Sequence, residues 1–286
     1  MHQQVGTQTQ RDAGRYHLQL GEIHFECDPA EGGRITAFGP RGNNFLIESS
    51  VHPENYGSTF WSSPQIDWGW PPPFELDRAP CKATVTNGVI ELVGRPCDRL
   101  GLCFVKRFAA DRESRGMVLQ YVIENVGASA RRVAPWEVSR VHPGGLTFFP
   151  GVQAPAGCGL FPPLQTCLAA GATWFAHNPD RIDGEHKLFG ESSRGWIAHL
   201  AGDFLFIKAF PAVPAEQQAP GEAGIEIFAC AGYVEVEQQG AWVSLAPGES
   251  LSWTVRWYVR PLPRGTARIA GSLELIELAE RTAAGR

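Results

Sequence analysis

The dominant period along this chain is two. "LSWTVRWYVRPL" places Leu251, Trp253, Val255, Trp257 and Val259 on one face and Ser252, Thr254, Arg256, Tyr258 and Arg260 on the other. That alternation is the mark of a half-buried antiparallel strand. Residues 116–127, 131–141, 195–200, 203–210, 224–230 and 232–239 read the same way, as do 15–20, 23–28, 33–39, 43–48, 81–86, 89–94 and 101–108 nearer the start. Turn formers separate the runs: Glu31-Gly32-Gly33, Arg41-Gly42-Asn43-Asn44, Asn87-Gly88, His142-Pro143-Gly144-Gly145 and Pro247-Gly248. Closely spaced short strands with almost no helical pattern predict an all-β fold, a large sandwich of mostly antiparallel strands. Helical spacing is confined to the end, where Ser272 stands as N-cap before "LELIELAERTAA". The pattern predicts a single domain over residues 15–286, with 1–14 disordered or loosely attached. The Pro/Gly/Ala stretch 150–172 reads as a long surface loop or lid.

Composition narrows the class. The chain has 286 residues, 43% of them hydrophobic, and a net charge of −5. It shows no Lys/Arg run, so nucleic acid is not an expected partner. No apolar run approaches the roughly 18 residues of a membrane span. The first residues, "MHQQVGTQTQRDAG", lack an apolar signal-peptide core. The seven cysteines are odd in number and show no CxxC spacing. Reduced thiols in a cytoplasmic protein are the expectation.

Four stretches concentrate chemistry. In "NYGSTFWSSPQIDWGWPPPFELDRAP", Trp61, Trp68 and Trp70 alternate with Gln65, Asp67, Asp77 and Arg78, and Pro71-Pro72-Pro73 stiffens the chain. Flat aromatic faces beside amides and carboxylates suit a sugar ring. The plainer reading is that these tryptophans plug the open end of the sandwich. In "GYVEVEQQG", Tyr233, Glu235 and Glu237 share one strand face. This is either the acidic part of a site or a solvated outer face. In "APWEVSRVHPGG", Trp136 and Glu137 point to opposite faces and His142 sits at the turn. "HNPDRIDGEHKLFGESSRGW" reads as a polar loop closing over a site, with His186 and Lys187 reaching in. HExxH and calcium-loop spacings are absent there, and nucleophile-elbow, P-loop and Rossmann motifs are absent throughout. No metal or cofactor is expected.

Together these stretches resemble galactose-mutarotase-like (aldose 1-epimerase-like) proteins, and the DUF4380 branch most closely. The resemblance is carried by "EGGRITAFGPRGNNFL", "YGSTFWSSPQIDWGWPPPFELDRAP", "IENVGASARRVAPWEVSRVHPGG", "EHKLFGESSRGWIAHLAGDFLFIKAF" and "GYVEVEQQGAWVSLAPGESLSWTVRWYV", so it runs from Gly21 to Leu262. It implies a β-supersandwich with a sugar-sized groove. It also implies a mechanism in which a carboxylate takes the anomeric proton and a histidine protonates the ring oxygen. "YVEVEQ" offers Glu235 or Glu237 as that carboxylate. The family's first histidine position falls in "FELDRAP", which holds Asp77 and Arg78, and its second in "PWEVSRVH", where Trp136 and Glu137 precede His142. The histidine pair is thus absent from its expected places.

The expectation is a monomer or homodimer that binds a small-molecule sugar or oligosaccharide. Trp61, Trp68, Trp70 and Trp136 would form the platform, with Gln65, Asp67, Asp77, Arg78 and Lys187 around them. As an isomerase it would use Glu235 or Glu237 as base and Glu137, His142 or His186 as the second proton-transfer group. Two carboxylates converging about 5–9 Å apart would support such chemistry. A non-catalytic carbohydrate sensor stands as the alternative, and a glycan lyase or hydrolase as a weaker one.

Overall fold

Two antiparallel sheets pack face to face in the computed structural model, which describes residues 7–154, 161–191 and 193–285. The first sheet contains β1 (Thr7–Asp12), β2 (Arg15–Leu20), β3 (Ile23–Asp28), β4 (Arg34–Pro40), β5 (Ser58–Ser63), β10 (Arg131–Val141), β14 (His186–Gly190), β17 (Ile225–Ala229), β18 (Val234–Gln239) and the short β19 (Val243–Leu245). The second contains β6 (Lys82–Thr86), β7 (Val89–Val93), β8 (Leu102–Asp111), β9 (Gly116–Asn125), β11 (Leu146–Pro150), β12 (Cys167–Ala169), β13 (Ala172–Ala176), β15 (Trp196–Ala201), β16 (Phe204–Ala209) and β20 (Ser250–Pro261). The first sheet runs β1-β2-β3-β4-β5-β10-β18-β17-β14, with β19 added beside β10; the second runs β12-β13-β11-β15-β16-β20-β9-β8-β7-β6. The helices are a single turn, α1 (Phe74–Asp77), and α2 (Leu273–Ala283). No described helix is long and apolar enough to cross a membrane.

The core between the sheets is aromatic. Phe60 of β5 stacks on Tyr121 of β9 at 4.3 Å, and Phe38 of β4 meets Trp257 of β20 at 5.1 Å. One polar cluster sits inside this layer. Glu137 Oε1 accepts from Lys208 Nζ at 2.8 Å, Trp257 Nε1 at 2.9 Å and Gln238 Nε2 at 2.6 Å. Lys208 also donates to Ser139 Oγ and the Val236 carbonyl. Burial pulls the Lys208 pKa down against the pull of Glu137.

Helix α2 covers the outer face of the second sheet. Ser272 caps it, its hydroxyl accepting from Leu275 N. Leu275, Ile276 and Ala279 pack with Trp174, Trp196 and Tyr258. Tyr258 is therefore buried although it falls on the strand face that the alternation assigns to solvent.

Three elements differ from the sequence pattern. Ser58–Ser63, in the Trp- and Pro-rich segment that is not among the runs with strand alternation, is a central strand paired with β10 over six residues. All six of its residues are buried although four are polar, and Ser58, Ser62 on one face and Thr59, Ser63 on the other leave no apolar–polar alternation. Residues 43–48, expected as a strand, form only an isolated bridge between Leu46 and Val141, because the Asn44 side chain accepts from the backbone N–H groups of Phe38 and Leu46. Residues 7–12, within the segment expected to be loose, pair with β2 in continuous register. Part of the 150–172 stretch lies outside the described residues, and Cys167–Ala169 within it is β12.

Candidate functional site

Strand register gathers the chemistry on the face of the first sheet turned away from the second. Across β5, β10, β18, β17 and β14, Trp61 pairs with Trp136, Arg140 with Glu235, Glu237 with Glu226, and Phe228 with both Glu235 and Lys187. Directly opposed residues point to the same side of a sheet, so these side chains form one surface.

The surface is charged yet buried. Arg140 Nε lies 2.8 Å from Glu235 Oε1, and the Arg140 guanidinium also sits 5.1 Å from the Trp61 ring centroid. Lys187 Nζ stands between two carboxylates, 2.6 Å from Glu226 and 3.4 Å from Glu237, and 5.1 Å from the Trp136 ring. Trp136 Nε1 donates to Glu237 Oε2 at 2.9 Å. Burial pushes the Glu226 carboxyl up to about 7 and the Glu237 carboxyl up to about 8, with Lys187 pulling both the other way. Burial works against the Lys187 charge, but the two carboxylates outweigh it and raise its pKa.

The stretches on either side of β5, residues 47–57 and 64–80, fold over this surface. Arg34, 1% exposed, ties them down: the guanidinium donates to the carbonyls of Glu54 and Tyr56 and to Asp77 Oδ2. Asp77 Oδ1 accepts from Trp61 Nε1 at 2.7 Å, so this carboxylate fixes the indole. Trp61 stands edge-on to Trp136 and Trp70, with ring centroids 5.4 and 6.0 Å away. The Gln65 N–H donates to Glu222, which anchors the far end of the wall.

The result is a cavity of about 450 Å³ lined by His52, Glu54, Asn55, Trp61, Gln65, Trp70, Trp136, Phe161, Glu185, Lys187, Phe228, Tyr233 and Glu235. That volume is ordinary for a small-molecule site. Trp70 is 56% exposed at the rim, whereas Trp61 and Trp136 form the floor. His52 Nδ1 accepts from the N–H groups of Glu54 and Asn55, so in the neutral ring the proton sits on Nε2. Its ring meets Tyr233 edge-on at 5.9 Å. Burial, with Glu235 adding to it, pushes the Tyr233 hydroxyl up.

Of the residues singled out in sequence, Trp61, Gln65, Trp70, Trp136, Lys187 and Glu235 line the cavity. Glu237 lies beneath its floor, fully buried under Trp136 and Lys187. Trp68 is buried behind the wall, its Nε1 donating to the Ser62 carbonyl. Asp77 positions Trp61 and lines a smaller adjoining hollow with Arg78. Asp67 is exposed and apart from the cavity. Glu137 points the opposite way, into the inter-sheet layer, so it and Glu235 do not converge on one pocket. His142 faces Glu48 at 3.7 Å, and both ring nitrogens of His186 lie near backbone carbonyls, those of Asp183 and Pro163. Residues 186–190, read as loop, are the edge strand β14, and it is this pairing that turns Lys187 inward. Sequence reasoning did not single out His52 or Phe228. His52 carries no local signal, whereas the alternation of "GIEIFAC" could have placed Glu226 and Phe228 together.

No protein-family model matches the chain, and no curated protein sequence matches it. Solved structures do. A galactose mutarotase-like protein from Lactobacillus casei superposes with a TM-score of 0.59 at 10% identity, over 89% of this chain and 100% of that one. A galactose mutarotase related enzyme from Lactobacillus acidophilus gives 0.56 at 8% identity, over 93% and 99%. A TPR-domain containing protein from Parabacteroides distasonis gives 0.60 at 13% identity over 91% of this chain, which spans 49% of that longer protein. At these identities the likeness is one of fold, and the fold is the galactose-mutarotase-like β-supersandwich.

Proposed function

We propose that the protein binds a carbohydrate, one sugar ring at a time, in the cavity floored by Trp61 and Trp136. The observation that carries this reading is the convergence of three indoles with Glu235, Gln65 and Asn55 around about 450 Å³. An indole face takes the C–H face of a pyranose, and the surrounding amides and carboxylates take its hydroxyls. Arg140 and Asp77 hold Glu235 and Trp61 in place before a ligand arrives, which reduces the ordering cost of binding. Within the mutarotase-like class we place the chain in the DUF4380 branch, on the stretches quoted above. We place it in the cytoplasm on its thiols: the six cysteines among the described residues are all free.

Anomeric exchange is the second reading, favoured by the presence of Glu235 and His52 in one cavity. Glu235 would take the O1 proton as the C1–O5 bond breaks, and a water molecule would protonate O5 while His52 Nε2–H hydrogen-bonds the same oxygen. Closure on the other face of C1 would return both protons. Because two backbone N–H groups occupy Nδ1 of His52, the neutral ring contributes a hydrogen bond to O5 and is not itself the acid.

Saturation-transfer NMR over common aldoses and uronic acids, with anomer-exchange rates read from the same samples, separates the readings. Binding with accelerated exchange supports the isomerase, binding without it supports the sensor, and no binding refutes both.

A further inference from the structure

We propose that His17, His24 and Glu26 form a binding site for a divalent transition-metal ion of the zinc type. The site lies on the β2–β3 hairpin, apart from the sugar cavity, and does not depend on the sugar reading. Strand register builds it. His17 is paired directly with Glu26, and His24 precedes Glu26 by two residues on β3, so all three side chains share the outer face of the sheet. One ligand atom from each lies within 4.8 Å of the others, and among the described residues no other group of three His, Cys, Asp or Glu side chains achieves this. His17 Nδ1 stands 3.4 Å from Glu26 Oε2, and the two imidazoles stack at 5.4 Å.

The dimensions suit the ion. Tetrahedral zinc with bonds of about 2.0–2.1 Å keeps neighbouring ligand atoms about 3.4 Å apart. The His17–Glu26 distance already has that value, and the His24 ligand atom lies within 4.8 Å of both others. The carboxylate is held for the task. Glu26 Oε1 accepts from Arg15 at 2.9 Å and from Thr36 Oγ1 at 2.6 Å, which orients Oε2 toward the histidines. Outer hydrogen bonds of this kind orient metal-binding carboxylates.

Two imidazoles and a carboxylate leave a tetrahedral ion one open position. That position faces a cavity of about 600 Å³ whose lining includes Gln10, Gln19, Arg41 and Asn44. A divalent ion held by one carboxylate keeps a positive charge, while around the cavity Arg41 is balanced by Asp12 and Glu48. The open position therefore suits a water or hydroxide, or a hydroxyl of a polyhydroxyl ligand. The spacing H-x6-H-x-E matches no metal motif, because the ligands meet across a hairpin and not along one helix.

The test is titration of the chelator-treated full chain with Zn²⁺ by calorimetry, with Co²⁺ absorption as a coordination probe. A single equivalent should bind, with the visible ligand-field bands of four- or five-coordinate cobalt. His17→Ala and His24→Ala should each weaken zinc binding by about 100-fold or more, while His186→Ala should leave it unchanged. All three histidines are only partly buried, so the metal-free variants should keep the wild-type melting temperature, which shows that they fold. Zinc should then raise the melting temperature of the wild type and of His186→Ala only. Substoichiometric binding by the wild type, or unchanged zinc affinity in His17→Ala and His24→Ala, would overturn the proposal.

Discussion

Arg140 Nε lies 2.8 Å from Glu235 Oε1, and the two residues face each other directly across the β10–β18 pair. Arg140 is 0% exposed, so its charge has left water and depends on this carboxylate. Removing either partner leaves the other charge buried without its counter-ion. Glu235→Gln and Arg140→Met should each cost about 3–5 kcal/mol of stability. The double variant should lose less than the sum of the two, by more than about 1 kcal/mol. Urea unfolding of the four proteins measures the cycle, and simple additivity would show that the pair is not coupled.

Asp77 and Arg78 are neighbours with different duties. Asp77 holds the Trp61 indole and the Arg34 guanidinium at once. Asp77→Ala should destabilise by about 3 kcal/mol, as expected when a buried cation loses its partner, and should abolish sugar binding by releasing the cavity floor. Arg78 is partly exposed, and its contacts are loose: Nε lies 3.6 Å from Asp77 Oδ2 and Nη1 3.7 Å from Glu54. Arg78→Ala should change stability by less than about 0.5 kcal/mol. Thermal melts of both variants check the contrast.

The Glu226–Lys187–Glu237 cluster makes stability depend on pH. Folding raises the Glu226 carboxyl to about 7 and the Glu237 carboxyl to about 8, from about 4.3 in an unfolded chain. Between these limits the folded state binds more protons than the unfolded state, so stability falls as pH rises through that window. Lys187 is raised, and its contribution is lost only above the unfolded lysine value of about 10.4. Glu237→Gln keeps an acceptor for Trp136 Nε1 and removes one titration. Its melting temperature should therefore fall less steeply than that of the wild type between pH 5 and pH 8. Parallel curves would show that Glu237 does not titrate there.

Glu137 and Lys208 form a buried pair on the opposite face of β10. Glu137→Ala should cost about 3–5 kcal/mol, and Glu137→Leu combined with Lys208→Met should recover much of the loss. The double variant should bind sugar with wild-type affinity, because neither side chain lines the cavity. A large loss of affinity in a folded double variant would place this pair in the site.

The fold was legible where one strand face meets solvent. β20 and β9 alternate, and the Ser272 cap marks α2. It was not legible where both faces are buried: β5 buries Ser58, Thr59, Ser62 and Ser63 together with Phe60 and Trp61, so polar residues fall on both faces and no alternation shows. The candidate site was legible in its aromatic part, since Trp61, Trp70 and Trp136 stand out by type. Its polar part depended on register. Glu235 and Glu237 share a strand face, yet only pairing with Arg140 and packing under Trp136 decide which of them meets a ligand. His52 enters through a loop closed by Arg34, and that contact spans 20 residues or more of sequence. The His17, His24 and Glu26 cluster likewise exists only in the pairing of β2 with β3.

The central claim is that the indole-floored cavity holds a sugar. Calorimetric titration of the wild type and Trp70→Ala, using the sugar that gives the strongest saturation transfer, tests it most directly. Trp70 is 56% exposed, so its removal should leave the melting temperature nearly unchanged. The wild type should bind one-to-one, and Trp70→Ala about tenfold more weakly, a difference of roughly 1.4 kcal/mol. Equal affinities in the two proteins, or no heat of binding with any sugar, would contradict it.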